Sequence, residues 1–231
     1  MSNVPVMTID GPSGSGKGTV SRAAARALGW TLLDSGALYR LVALAGRQAG
    51  INLDDEAGLA RLAETTDIAF GSTGSGGEVV RLDGKDVTGA IRTEEAGNDA
   101  SKVAALPGVR AALLERQRRF AVPPGLVADG RDMGTVVFPG AEVKIFLTAS
   151  AAERALRRYK QLKEKGVAAN LAALSLEIAE RDLRDSTRAA SPLVASADAV
   201  LLDTTGMSVD AVVERVLEVA RGRLSRGVLK K

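Results

Sequence analysis

Lys17 lies in the run GPSGSGKGT at residues 11–19, whose fixed points Gly11, Gly16 and Lys17 fit the pattern G-x-x-x-x-G-K. The apolar run VMTID leads into it and the alanine-rich TVSRAAARAL continues it, so the pattern lies between a strand and a helix, where it carries physical meaning. Glycines let the backbone turn its N–H groups inward around a phosphate, the start of the helix adds positive dipole, and Lys17 reaches terminal phosphates. Gly11, Pro12, Ser13, Gly14, Ser15, Gly16, Lys17, Gly18 and Thr19 are therefore the expected cradle for the phosphates of ATP. Gly18 stands where many such loops carry a magnesium-ligating hydroxyl. Thr19, one residue later, contacts phosphate or a metal-bound water instead, so Mg2+ is expected to be held mainly by ATP phosphates and water, and no protein metal ligand is assigned.

Arginine supplies the second kind of chemistry. Arg154, Arg157 and Arg158 recur in AAERALRRYKQLKEKG, while Arg181, Arg184 and Arg188 in RDLRDSTR fall at i, i+3 and i+7, on one face of a helix with Asp182 and Asp185 as ion-pair partners. Clustered arginine suits bidentate phosphate recognition. Both runs also read as solvated charged faces; the first, ahead of KEKG, has the makeup of a lid, and Arg157 is assigned to ATP phosphates. Histidine and cysteine are absent, which removes imidazole acid–base chemistry, Cys/His zinc sites, thiol nucleophiles and disulfides. What remains is carboxylate, Lys/Arg and backbone chemistry.

The 31 basic and 28 acidic residues leave a net charge of +3, and aromatics make up 3% of the 231 residues. That is neither the basic surface nor the stacking platform of a nucleic-acid binder, so small anionic ligands are the expected partners. No run approaches the roughly 20 apolar residues that span a bilayer, and MSNVPVMTID lacks the makeup of a signal peptide. No membrane partner and a cytoplasmic location are the expectations.

Five apolar runs read as buried strands: VMTID, TLLD, GLVAD, VKIFLTA and AVLLD, four of them ending in aspartate. Continuous rather than alternating hydrophobicity implies strands covered on both faces, hence an α/β fold with a five-stranded parallel sheet flanked by helices. Such sheets bind ligands at the carboxyl ends of their strands. Arg40 follows the second run and Arg131 the third. Between residues 66 and 92 short β-prone runs alternate with Gly/Ser turns, including an Asp83-Gly84 pair, which predicts an inserted small antiparallel sheet; GSTGSGG within it reads as a plain turn. The expected organisation is a core at 1–38, an inserted segment at 39–108, core again at 109–153, a lid with flanking helices at 154–188, and core with a C-terminal helix at 189–231. That helix is expected over 208–223, with RGVLKK after it as a frayed tail.

Beyond the loop, LLDSGALYR (32–40), IRTEEAGNDASKVAALPGVR (91–110), ADGRDMGTVVFP (128–139) and ERDLRDSTRAASPL (180–193) resemble the bacterial cytidylate kinases, a family of P-loop nucleoside monophosphate kinases. The similarity runs from about residue 4 to 221, and the 67–91 segment resembles the enlarged insert of the bacterial type. The resemblance implies transfer of phosphate from ATP·Mg to CMP and dCMP, within pyrimidine nucleotide metabolism. It implies that Ser35, Arg40, Arg131 and Arg188 gather around the CMP phosphate, that Ser101, Arg110 and Asp132 read the cytosine, and that Arg181 and Asp185 lie near the sugar. Lys17, Arg131, Arg188 and Asp132 are then the catalytic set. Read without it, the alternatives are a helix cap for Ser35, surface charges for Arg40 and Arg110, and an ordinary polar helix residue for Ser101. Asp129 either holds magnesium through water or caps the next turn. Another P-loop small-molecule kinase, or an ATP-binding interaction module without turnover, are the alternatives.

Overall fold

The computed structural model describes residues 4–72, 78–164 and 166–228. In chain order the elements are β1 (Val6–Asp10), α1 (Lys17–Leu28), β2 (Thr31–Asp34), α2 (Ser35–Gln48), α3 (Glu56–Thr65), β3 (Ile68–Ser72), β4 (Glu78–Leu82), β5 (Lys85–Asp86), α4 (Glu94–Val103), α5 (Pro107–Arg118), β6 (Leu126–Gly130), β7 (Val143–Thr148), α6 (Ala151–Glu164), α7 (Leu171–Thr187), β8 (Val200–Asp203) and α8 (Val209–Val228). A 3-10 turn at Ala90–Arg92 and a π-helical turn at Met133–Val137 complete them. They form two compact units, Met1–Asp34 with Arg118–Lys231, and Ser35–Gln117.

The first unit is built on a parallel sheet of order β2-β6-β1-β7-β8. Every residue of β1 and of β6 is buried, as the unbroken apolar runs require. β1 lies between β6 and β7, with Asp10 level with Gly130 and Phe146, and Asp34 is level with Asp129 on the far side of β6. The strands thus deliver their terminal aspartates along one edge of the sheet. Met7, Ile9, Val127, Val143, Ile145 and Leu147 from the sheet pack with Val20, Ala24 and Ala25 of α1 and Val212, Val216 and Ala220 of α8. Each large side chain buried there contributes about 1.5–3 kcal/mol. α1 ends at Gly29, whose φ of 67° closes the helix by donating its N–H to the Ala25 and Arg26 carbonyls.

The second unit packs α2 against α3 and α4. Ala37, Leu41 and Ala45 of α2 form a core with Val80, Leu82, Val87 and Ile91. β3-β4-β5 is the antiparallel insert expected from the sequence. Asp83 and Gly84 both take positive φ, 50° and 78°, and place Leu82 opposite Lys85; the twist of such a turn matches that of paired strands. Asp55 and Thr93 cap α3 and α4 by accepting the Gly58 and Ala96 N–H groups. The turn expected at GSTGSGG lies largely outside the described residues.

The sequence pattern ended the last helix near residue 223, but α8 continues to Val228. Its interior Gly222 and the arginines after it follow three apolar turns already fixed on the sheet, and propagation adds a bond for each residue ordered. Residues 229–231 of the expected tail lie outside the described ones. No described helix is long and apolar enough to cross a membrane.

Ile145 is 1% exposed at the middle of β7, level with Ile9 and Val200. Ile145→Ala is expected to cost about 2–5 kcal/mol through lost transfer energy and the cavity left behind. Equilibrium urea unfolding would read this as a lower midpoint with an unchanged slope.

Candidate active site

β1 delivers its chain directly into the glycine loop. Gly11 has φ 146°, and a Cβ there would lie 1.9 Å from the Leu147 carbonyl oxygen, so no side chain fits. Gly14 and Gly16 take φ of 76° and 91°. Gly16 is also the residue before α1 and has no side chain to satisfy the first N–H groups of the helix, which is the arrangement in which an anion takes that place. Ser15 Oγ and Lys17 Nζ both donate to the Pro12 carbonyl, at 3.0 and 2.7 Å. The ammonium is thereby folded over the loop, with the lysine buried.

Around Lys17 the first unit collects opposed charges. Burial, then the Arg131 guanidinium, pushes the Lys17 ammonium down from its ordinary value, while Asp129 and Asp185 pull it back. Burial pushes Asp129 up and Lys17 opposes it. A Cβ built at Gly18 would lie 3.4 Å from both Asp129 Oδ2 and Arg22 Nη2. The space beside Gly18 therefore faces a carboxylate on β6, a hard oxygen donor of the kind Mg2+ takes directly or through water. Among the described residues no group of three or more acidic side chains could hold a metal.

Arg131, Asp132, Asp185 and Arg188 are brought together. Arg131 Nε donates to Asp185 Oδ2 at 2.8 Å, and Arg188 Nη2 lies 3.8 Å from Asp132 Oδ1. Burial alone would raise Asp185, but the charge and hydrogen bond of Arg131 hold it below the usual carboxylate range. Asp132 is 2% exposed, at the start of the π-helical turn. Arg181 lies one turn before Asp185 on α7, and its charge also favours the Asp185 carboxylate.

One placement differs from the sequence expectation. α7 ends at Thr187, and Arg188 is its C-cap with extended dihedrals, φ −60° and ψ 139°, so it leaves the helix face that the i, i+3, i+7 spacing gave it. Its Nε donates to the Ser191 carbonyl instead, which turns the guanidinium toward Asp132. Arg157 braces protein: it pairs with Glu153 at 2.8 Å and donates to Thr204 Oγ1 at 3.0 Å and to the Ser15 carbonyl at 3.4 Å. Its Nη1 still lies 3.8 Å from where a Cβ of Gly16 would be, beside the loop.

In the second unit Ser35 opens α2 and is buried, and Arg40 follows five residues on. Ser101 is buried on α4. Arg110 on α5 is buried too, donating to the Ala104 carbonyl at 3.3 Å with its guanidinium 5.8 Å above the Tyr39 ring. The bland reading of Arg110 as a solvated charge is excluded by this burial.

Sequence reasoning gave no role to two buried residues. Arg154 donates to the Ala149 carbonyl at 3.0 Å, to the Ser13 carbonyl of the loop at 2.9 Å and to both carboxylate oxygens of Asp182, so it ties the loop to α7. Asp10 accepts the Met133 and Gly134 N–H groups, each at 2.8 Å. Burial pushes its carboxyl up to about 7, against those two donors. Its folded value exceeds the ordinary 3.8, so the stability this proton uptake gives is present in acid and lost as pH rises through about 7. Strand-terminal aspartates were visible in the sequence; which of them would be buried was not.

A strand, a glycine loop with an inward lysine and an arginine–carboxylate cluster on one parallel sheet together define a P-loop small-molecule kinase. Comparison makes this particular. Residues 7–222 match the Cytidylate kinase family model, and the chain belongs to that family. Proteins named cytidylate kinase are similar along nearly their whole length. That of Stutzerimonas stutzeri is 60% identical over 219 residues, 94% of this chain and 96% of the relative. That of Klebsiella pneumoniae is 57% identical over 223 residues, covering 96% and 98%, and that of Pseudomonas aeruginosa is 60% identical over 215 residues, covering 93% and 94%.

The depressed Lys17 gives a pH-dependent outcome. Polyphosphate beside it favours the charged amine, so at pH 8, where the nucleotide is already ionised, ATP binding is expected to take up protons. Calorimetry in buffers of different ionisation enthalpy would read the uptake as a slope, which Lys17→Met abolishes. Proton release, or an unchanged slope in Lys17→Met, would contradict the assignment.

Proposed function

We propose that this enzyme transfers the terminal phosphoryl group of ATP to the phosphate of CMP or dCMP, giving ADP and CDP or dCDP. The observation that carries the reading is the Arg131–Asp185 and Arg188–Asp132 pairing on the same unit as the Lys17 loop, because two phosphate-bearing substrates need two sets of anion ligands. The names and high identity of the relatives support the acceptor.

Residues 11–19 with Lys17 hold the ATP phosphates, and Arg157 flanks them. Ser35, Arg40, Arg131 and Arg188 take the acceptor phosphate. Ser101, Arg110 and Asp132 recognise the cytosine edge, Asp132 accepting from its exocyclic amine, and Arg181 and Asp185 face the sugar. The loop and the Asp129 oxygens fit a nucleotide-bound Mg2+, which when present neutralises phosphate charge; it is carried mainly by ATP oxygens and water.

The acceptor is a phosphate monoester with its second pKa at about 6, so its attacking oxygen is already anionic at neutral pH. A general base is unnecessary. Lys17 and the arginines neutralise charge on the transferring group and fix its line of approach. Closure of the α6–α7 segment over the nucleotide excludes water that would otherwise hydrolyse ATP. The same reading has the enzyme act as a monomer in the cytoplasm, in pyrimidine nucleotide supply, with 39–108 as the acceptor-binding insert and 154–188 as the lid.

Release of ADP from ATP·Mg should be strong with CMP and dCMP, weak with UMP and near zero with AMP, GMP, shikimate or no acceptor. Lys17→Ala should lower turnover by on the order of 10²–10³-fold or more with the fold intact. Acceptor-independent release would indicate another activity, and ATP binding without any release an interaction module.

A further inference from the structure

The π-helical turn Met133–Val137 is preceded by Asp132, a residue type that normally caps such a start with its own carboxylate. Here it does not: the Asp132 side chain makes no cap bond. Its backbone carbonyl accepts the Val136 and Val137 N–H groups at 2.9 and 3.2 Å, while the first two N–H groups of the turn, Met133 and Gly134, go to Asp10 Oδ1 and Oδ2. The cap is supplied by β1, 123 and 124 residues earlier in the chain. Asp10 is 6% exposed and is the residue before the phosphate loop. Gly134 allows the approach: a Cβ there would lie 2.8 Å from Thr8 Oγ1 and 3.3 Å from Asp10 Oδ2.

We infer that Asp10 is a positioning residue for acceptor choice: by capping the turn in place of Asp132, it keeps the Asp132 carboxylate directed to Arg188 and to the acceptor's amine. The inference rests on Asp132 reading the base. Each carboxylate oxygen of Asp10 takes one donor, so both are required. An amide offers one acceptor oxygen and presents an N–H to the other donor. One N–H of the turn then lacks its bond, and Asp132, which holds the N-cap position, is the residue whose carboxylate can take it. Capping by Asp132 draws it off Arg188. The same contact fixes the turn to the strand that launches the phosphate loop, so donor and acceptor ligands share one rigid reference.

The test is the ratio of kcat/KM for CMP over UMP, which does not depend on the fraction of enzyme folded. Asp10→Asn should lower this ratio by about tenfold, the size of one charge-assisted hydrogen bond, and Asp132→Asn should lower it at least as far. In the double variant Asp10→Asn adds nothing to the loss from Asp132→Asn, because it acts through that residue. Gly134→Ala, which pushes the turn off an intact Asp10, should reproduce the shift and carries the test where Asp10→Asn does not fold. If Asp132→Asn loses selectivity while Asp10→Asn and Gly134→Ala lower CMP and UMP turnover equally, Asp10 is structural and the inference is overturned. If Asp132→Asn keeps the wild-type ratio, base reading by Asp132 fails and the inference falls with it.

Discussion

A buried ammonium is the constraint around which the first unit is organised. Lys17 is 6% exposed, and taking such a charge out of water costs several kcal/mol unless opposite charge and hydrogen bonds replace the solvent. The Pro12 carbonyl supplies one bond and Asp129 and Asp185 supply the charge. Those carboxylates come from β6 and α7, so the sheet order that places β6 beside β1 is also the condition for keeping Lys17 inside. Arg131 then complicates the balance, because it lowers Lys17 while being held by the same Asp185. Burial and Arg131 together hold the Lys17 ammonium below its ordinary value, so a polyphosphate beside it would restore the charged form.

The glycine loop shows how sterics and electrostatics enforce one another. Gly11 is required because the Leu147 carbonyl occupies the place of its Cβ, and that close approach aligns β1 with β7 at the level where the loop begins. Gly14 packs on the Arg154 side chain, whose guanidinium accepts nothing and donates to the Ser13 carbonyl. Loop carbonyls are thus turned outward onto Arg154 and Arg157, the orientation that leaves the inward side to N–H groups.

Much of this was legible in the sequence. Unbroken apolar runs announced a parallel sheet, the flanks of residues 11–19 announced the loop, and the Asp83-Gly84 pair announced the hairpin. Helix ends were less legible: the charged spacing of RDLRDSTR is compatible with helix through Arg188, and what accompanies its end is a turn in the segment that follows, the Leu193 N–H bonding to the Asp185 carbonyl and Ser191 accepting from Arg188. The jobs of the arginines were illegible because they depend on contacts distant in sequence. Arg154 and Arg157 share a helix and a composition with Arg158, yet two of them bond carbonyls of a loop some 140 residues earlier. Asp10 was a strand end like three others until β6 and the turn after it came alongside.

The division of labour among arginines bears on catalysis. A guanidinium that must rotate to meet a developing charge spends part of its interaction energy on that movement, whereas one already aligned does not. Arg131 has its Nε fixed by Asp185, which sets the plane of the fork, and Arg188 has its Nε fixed by Ser191. In each case the nitrogen at the base of the fork is committed to protein, so the orientation of the terminal nitrogens is set before a phosphate arrives. The facing charges also differ in distance: Arg131 is hydrogen-bonded to the Asp185 carboxylate at 2.8 Å, whereas Arg188 gives its Nε to the Ser191 carbonyl and meets the Asp132 carboxylate at 3.8 Å. An incoming dianion would therefore compete with a close carboxylate at Arg131 and with a more distant one at Arg188. Under the proposed roles, Arg188, whose pairing with Asp132 spans 3.8 Å, would be the cation more easily recruited as charge builds on the transferring group, while Arg131 would keep the acceptor's frame.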